Sequence, residues 1–431
     1  MDSIAYHNPA EELLEPAALV RLQRQKLAAM LREIQGRNAF YTRKFAGLSF
    51  DPMTDPLEKL PFTTRQELEA DQIAQPPYGS NLTYPVAQYC RLHQTSGSGG
   101  RAMRWLDTRE SWDWFKRLWG TIYRAAGVRD GHRLMFPFSF GPFVGFWAAF
   151  ESAASLGNLA LAAGGMTTTA RLKMLLDNEV DVVCCTPTYA LRMAEVARAE
   201  GIDLAGAKVS KLIVAGEPGG SVAAIRERIQ AAWGARVYDH TGMTEIGALG
   251  FECNQAPGGV HLHEAECIAE VIDPITAQTV ADGETGELVL TNLGRWGSPL
   301  IRYRTNDQVR LTRGKCGCGR WFARLEGGIL GRYDDMITVR GNNVFPAGLE
   351  AVIRQFPEVT EFRVTVVGTG ALAEVQIELE PVDEAAGREL AERVGRAVQN
   401  TLSFRAQILT VPCGALPRFE MKAKRFIRRT S

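Results

Sequence analysis

The spacing of apolar positions divides the chain into blocks of different period. Across residues 11–47, Leu13, Leu14, Leu19, Val20, Leu22 and Leu31 recur near a 3.6-residue period, which predicts helix. Pro52, Pro56 and Pro61 then punctuate a loop. Thr64 followed by Glu67 is the pattern of a helix start with a capping box. Residues 105–126 predict an amphipathic helix rich in aromatic side chains. From 170 to 250 short apolar runs alternate with helical stretches: strand at 180–185, helix at 187–200, strand at 211–215, helix at 221–233. This alternation predicts βαβ units on a parallel sheet, where ligands bind at the carboxyl ends of strands. Both strands run into candidate loops, Thr186-Pro187-Thr188 and Gly216-Glu217-Pro218-Gly219-Gly220. Residues 260–312 turn β-rich, with strands at 270–272, 286–290 and 308–311. After 331 the order is βαββαβ-like: 336–339, 345–355, 361–367, 374–379, 384–402 and 407–411. The expected fold class is α/β. A large domain over 1–332 combines βαβ units with a β-rich subdomain, and a small α+β domain covers 333–431.

Composition narrows the partners. The 431 residues carry 49 basic and 49 acidic side chains, which argues against nucleic acid or an anionic membrane as the main partner. The start has neither a basic nor an apolar leader segment, so no secretory signal is expected. The apolar stretch 143–165 is broken by Glu151, Ser152 and Asn158 and predicts buried helix and strand rather than a membrane span. The 8 cysteines are scattered, so the reducing cytoplasm is the expected compartment.

Four segments carry chemistry. Thr95-Ser96-Gly97-Ser98-Gly99-Gly100-Arg101 offers backbone N–H groups and a fixed charge to phosphate oxygens, without Walker A spacing. A plain surface loop is the competing reading. Tyr238-Asp239-His240-Thr241-Gly242-Met243-Thr244-Glu245 follows a strand expected at 235–237. Thr244 can donate to a phosphate and Glu245 suits magnesium, which takes one or two carboxylates plus substrate phosphates. An ordinary helix start competes here. Asn306-Asp307 reads either as a turn between strands or as an aspartate for ribose hydroxyls. Leu416 to Arg425 reads either as a frayed basic tail or as a loop whose lysine stabilises charge at a reacting phosphate. Between the last two lies Gly331-Arg332-Tyr333-Asp334-Asp335, a short β-type run, then Gly341-Asn342-Asn343-Val344-Phe345-Pro346.

These segments, in this order from about Pro61 to Arg425, resemble the adenylate-forming superfamily of acyl-CoA synthetases, peptide-synthetase adenylation domains and luciferases. Length and the Glu217-Pro218 context resemble its phenylacetate-coenzyme A ligase-like branch. The resemblance implies ATP-dependent activation of an aryl carboxylic acid, release of pyrophosphate, and transfer to coenzyme A. It leaves open transfer to an amine, a hydroxyl or a carrier-protein thiol, and a catalytically silent nucleotide-binding role. Residues 95–101 would be the phosphate loop. Gly216, Glu217 and Pro218 would line the adenine pocket, and Asp239, His240 and Thr241 would also belong to the ATP/AMP-binding site. Thr244 would touch the α-phosphate and Glu245 would hold magnesium. Asp307 and Arg332 would bind the ribose. Asp334 would be the hinge of a mobile small domain, and Lys422 the adenylation lysine. The chain departs from the family at Thr241, where tyrosine is usual, at Arg101, where lysine is usual, and at Met421, where glycine is usual, so that Lys424 rivals Lys422.

Phe136, Phe140 and Gly141, with Gly242, are expected to wall a flat pocket, though core packing explains the phenylalanines as well. Cys316-Gly317-Cys318 is a Cys-x-Cys knuckle with Cys253 and His261 upstream, His263 being the alternative histidine. Three thiolates and one imidazole make a closed zinc site; free buried thiols are the other reading. The expected co-substrates and partners are thus ATP, magnesium, coenzyme A and a small aryl acid, with a homodimer or a carrier protein also open.

Overall fold

The computed structural model describes residues 4–95, 102–339, 342–368, 374–383, 385, 387–420 and 423–429. The stretch 11–47 is broken into Pro9–Glu12, Pro16–Ile34 and Ala39–Lys44 rather than running as one helix. Pro9 and Pro16 each open a helix, where the missing N–H costs nothing. Asn38 caps the third by accepting from the Tyr41 N–H. The capping box at Thr64 and Glu67 forms as expected.

Residues 105–126 divide into a strand, Arg104–Thr108, and a helix, Arg109–Ala125. The strand pairs antiparallel with Tyr89–Gln94, a tertiary pairing that overrides the helical period. The helix buries Trp112, Trp114, Phe115 and Trp119. Trp114 lies so close to Gly294 that a Cβ there would stand 2.1 Å from its ring.

Among the described residues, twelve strands make one sheet. Its parallel half runs, in space, Leu159–Ala162, Arg133–Phe136, Val182–Cys185, Lys211–Val214, Arg236–Met243. The inner strands Arg133–Phe136, Val182–Cys185 and Lys211–Val214 are buried on both faces, which suits a sheet covered by crossover helices, whereas the outer strand Leu159–Ala162 is largely exposed. The chain visits the outer strand Leu159–Ala162 after Arg133–Phe136 and then returns to the other side, so the direction reverses between Arg133–Phe136 and Val182–Cys185. That reversal is where such sheets open a crevice for ligands. Beyond Arg236–Met243 the sheet continues antiparallel through Gly247–Phe251, Gly259–Leu262, Arg324–Glu326, Tyr303–Thr312, Thr285–Asn292 and Cys267–Ile272.

The C-terminal unit has its own core of Val344, Leu349, Ile353, Phe362, Val364, Ile377, Leu379 and Val394. Its sheet runs Gln407–Thr410, Glu374–Pro381, Val359–Val367, Phe426–Arg429. The last strand corrects the frayed-tail reading of the C-terminus: it pairs parallel with Val359–Val367. No described helix is long and apolar enough to cross a membrane.

Candidate active site

Thr244 and Glu245 sit in the turn joining the antiparallel strands Arg236–Met243 and Gly247–Phe251, not at a helix start. Gly247 has φ +110, and a Cβ there would lie 2.8 Å from Trp114, so the turn needs glycine. Gly242 has the same need: a Cβ would stand 2.7 Å from the Gly247 carbonyl oxygen. Tyr303 OH donates to Glu245 Oε1 at 3.2 Å, and no described residue donates to Oε2. A buried carboxylate with one oxygen anchored and one uncommitted fits a magnesium ion that draws its other ligands from phosphates and water.

The turn is held from behind by a residue the sequence did not advertise. Arg295 Nη1 donates to the carbonyls of Thr244 (2.7 Å) and Glu245 (2.8 Å). Its Nε and Nη2 donate to the two oxygens of Asp107 at 2.7 and 2.8 Å. Both side chains are fully buried, with the guanidinium over the rings of Trp105 and Phe115. Burial raises the Asp107 carboxyl, but Arg295 and then His93 outweigh it and leave it below the ordinary aspartate range. The one sequence signal is an arginine set among glycine and apolar neighbours, Leu293-Gly294-Arg295-Trp296-Gly297.

Asp239 and Thr241 alternate with His240 along their strand and are half-buried. His240 turns inward instead: Nδ1 donates to the Gly250 carbonyl (2.6 Å) and the ring packs on Trp119, 4.5 Å away. Burial lowers its pKa to about 4, so the ring is neutral near pH 7. Asp239 Oδ2 accepts from Ser221 Oγ at 2.5 Å, and Gly220 and Gly328 leave room that a Cβ would take. Burial, opposed by the Ser221 bond, raises this carboxyl to about 7. Such an acid keeps its proton in the folded chain where the unfolded chain has lost it. The contribution of Asp239 to stability is therefore greatest below about pH 4 and declines as pH rises to about 7. Asp239→Asn should flatten that decline in urea-unfolding midpoints; an unchanged slope would assign it to other groups.

Asp307 lies within the continuous strand Tyr303–Thr312, which corrects the turn reading of Asn306-Asp307. A bulge makes Leu288 alone face residues 305–307, and Asn306 takes φ 60 there. Bulges of this kind re-aim side chains beside functional sites. Asp307 stands opposite Arg332 in the ladder, and Arg332 Nη1 donates to its Oδ1 at 3.1 Å. Nε and Nη2 of Arg332 donate to both oxygens of Asp334, at 2.9 and 2.8 Å. One guanidinium thus ties the expected ribose residue to the expected hinge residue.

At the crevice, Phe136 is fully buried beneath the rim and meets Phe150 edge-on. Phe140 packs on Phe138 (4.3 Å) and Trp147 (4.7 Å), whose Nε1 donates to the Gly141 carbonyl. Phe138 continues through Phe146 and Trp119 to His240, an aromatic wall leading to the strand Arg236–Met243 that ends in the Thr244-Glu245 turn. Phe136 belongs to the core, and Phe140 and Gly141 to this wall.

Gly216 and Pro218 are exposed at the end of the strand Lys211–Val214. Glu217 between them is committed to protein partners. Oε1 accepts from the Thr188 N–H (2.8 Å) at the N-terminus of Pro187–Ala199, and Oε2 accepts from the Ala423 N–H (2.9 Å). Thr95 ends the described part of its loop, with its Oγ1 accepting from the Met103 N–H. Ser96, Gly97, Ser98, Gly99, Gly100, Arg101 and Lys422 lie outside the described residues. Lys424 is exposed.

Cys253, His261, Cys316 and Cys318 converge, their ligand atoms all within 4.8 Å of one another. Cys253 Sγ lies 3.7 Å from Cys316 Sγ and 3.6 Å from His261 Nε2, which is 3.8 Å from Cys318 Sγ. Tetrahedral zinc, with bonds of about 2.3 Å to sulfur and about 2.0 Å to nitrogen, sets ligand–ligand edges of about 3.5–3.8 Å. His261 Nδ1 donates to the Phe322 carbonyl (3.0 Å), which leaves Nε2 as the metal-facing atom. The donor set and its spacing fit the ion. His263 is elsewhere, bonded to Thr121 at 3.1 Å.

Residues 341–429 match the family model described as the AMP-binding enzyme C-terminal domain. The chain is 29% identical to a phenylacetate-coenzyme A ligase of Thermus thermophilus, over 96% of this chain and 97% of that protein. It is 29% identical to one of Pseudomonas putida, over 97% of each. Among solved structures, a 2-hydroxyisobutyryl-CoA ligase in its postadenylation state, 28% identical, covers 99% of this chain and is itself covered to 93%, with a TM-score of 0.92. The same ligase in its thioesterification state gives 0.74 over 98% of this chain and 92% of that one.

Proposed function

We propose that this chain, which belongs to the adenylate-forming enzymes in their phenylacetate-coenzyme A ligase-like branch, activates an aryl carboxylic acid with ATP and passes the acyl group to coenzyme A. One observation carries the site assignment. The strand Tyr303–Thr312 anchors the carboxylate suited to magnesium, through Tyr303 to Glu245, and bears the one suited to ribose, Asp307. The aromatic wall behind His240 supports an aryl acid over an aliphatic one.

In the first step the acid's carboxylate oxygen attacks the α-phosphorus. A P–O bond to the acyl group forms and the bond to the β-phosphate oxygen breaks, releasing pyrophosphate. Asp307 and Arg332 hold the ribose, Thr244 donates to the α-phosphate, and Gly216 and Pro218 flank the base. Arg101 and Lys422 supply positive charge where negative charge gathers. Magnesium held by Glu245 would neutralise phosphate charge. In the second step the coenzyme A thiolate attacks the acyl carbonyl and AMP leaves. Between the steps the small domain, from residue 333 onward, turns about Asp334 and brings residues 341–344 toward the site. Cys253, His261, Cys316 and Cys318 would hold a zinc ion in a structural role, since four protein ligands would leave no open position.

Relatives that act on coenzyme A match nearly the full chain, which favours that acceptor over an amine, a hydroxyl or a carrier thiol. The first step is tested by incubating the protein with ATP and a panel of aryl acids, phenylacetate among them, with hydroxylamine as trap. Acid-dependent hydroxamate and pyrophosphate are expected. Neither product with any acid would favour a silent nucleotide-binding protein.

A further inference from the structure

The small domain meets the large one at several points, among them Arg228 with the Val359 carbonyl and Arg418 with Glu195, and one set of contacts falls on either side of Lys422 in the sequence. On one side, Glu420 Oε2 accepts from Arg171 Nη1 at 3.2 Å. Arg171 is buried and already fixed, with Nε donating to the Ala163 carbonyl (2.9 Å) and the guanidinium over the Tyr189 ring. On the other side, the Ala423 N–H donates to Glu217, whose second oxygen neutralises the N-terminus of Pro187–Ala199. Two residues later Arg425 donates to Thr188 Oγ1 at 3.2 Å while bonding Glu361 of its own domain at 2.6 and 3.0 Å. Two residues separate Glu420 from Ala423.

We infer that Arg171 and Glu217 are positioning residues for adenylation: they clamp the chain on both sides of Lys422 and hold the small domain in the adenylating arrangement. The inference rests on the function proposed above and adds to it the residues that choose between its two steps. Glu217, expected at the adenine pocket, acts instead as the docking acceptor, because both its oxygens are taken by N–H groups. Each contact crosses between domains, so each is lost when the small domain turns. A contact made in only one of two arrangements shifts the balance between them by its full strength. The overall shape agrees, being shared more fully with the postadenylation structure than with the thioesterification one.

Glu420 is 54% exposed on its side chain, so its replacement leaves the cores intact. Glu420→Ala should lower the rate of pyrophosphate release with phenylacetate about tenfold, with KM for ATP little changed. Thioester formation from preformed phenylacetyl-adenylate and coenzyme A should be unchanged or faster. Glu420→Asp should recover part of the loss, and Glu217→Gln, which keeps one acceptor oxygen, should behave like Glu420→Ala. Equal losses in both half-reactions, or none in either, would overturn the clamp. Hydrogen exchange reads the docking without any acid: peptides covering 186–190 and 416–427 should exchange faster in Glu420→Ala, the parallel sheet strands unchanged. Exchange identical to the wild type would overturn it as well. A wild-type protein that releases no pyrophosphate with any acid would instead sink the proposed function, and the exchange result would still decide the docking.

Discussion

Arg295→Met should be among the most damaging single changes in the molecule, costing about 3–5 kcal/mol of stability. The substitution leaves the Asp107 carboxylate fully buried with no guanidinium, and strips donors from the Thr244 and Glu245 carbonyls. Activity should fall further than stability explains, by about a hundredfold in adenylation, because the turn that aims Glu245 loses its support. Replacing both partners, Asp107→Leu with Arg295→Met, should restore much of the stability, since an apolar pair can substitute for a buried ion pair. It should not restore activity, because the two carbonyls stay without donors. The pH dependence has a definite sign. Asp107 is held below its ordinary range, so its contribution is present above about pH 4 and is lost as pH falls through the folded value. Unfolding in urea and pyrophosphate release would read both effects. A single-variant loss under about 1 kcal/mol would mean that the pair is solvated in solution.

Breaking the zinc cluster should have the next largest effect. The purified protein should carry one zinc per chain, and Cys316→Ser should lose it and melt about 5–10 °C lower. The damage should spread to the N-terminal segment, because that segment clasps the knuckle. Tyr6 OH donates to the Cys318 carbonyl at 2.7 Å, and Glu12 forms a buried ion pair with Arg320. Gly319 leaves the room that Tyr6 OH occupies. Limited proteolysis should therefore cut near residues 5–13 sooner in Cys316→Ser than in the wild type. Metal-free protein with wild-type melting and cleavage would make the cluster a set of buried thiols.

What was legible in the sequence was local chemistry. The Thr64–Glu67 capping box, the strand–loop junctions at Thr186 and Gly216, and the short motifs around Glu245, Asp307 and Arg332 carry their signal within a few residues. The four zinc-type ligands were legible because only a few residue types serve that chemistry, and their convergence singled out His261 over His263. Long-range partnership was not legible. Asp107 and Arg295 are 188 positions apart, and neither carries a motif. The strands Arg104–Thr108 and Phe426–Arg429 exist because of their partners, against a helical period in one case and a basic composition in the other. The family resemblance of the Gly216-Glu217-Pro218 segment marks Glu217 as an adenine-pocket residue. Its bonds to the Thr188 and Ala423 N–H groups are long-range contacts that no local pattern announces.

The central claim is a two-step ligation on one chain, and product stoichiometry tests it most directly. Purified protein would be given ATP, magnesium, coenzyme A and each aryl acid of a panel, and AMP, pyrophosphate and acyl-coenzyme A would be quantified together. The account predicts that at least one acid yields the three products in equal amounts, and that omitting coenzyme A leaves bound acyl-adenylate. Adenylate and pyrophosphate without any thioester would contradict it.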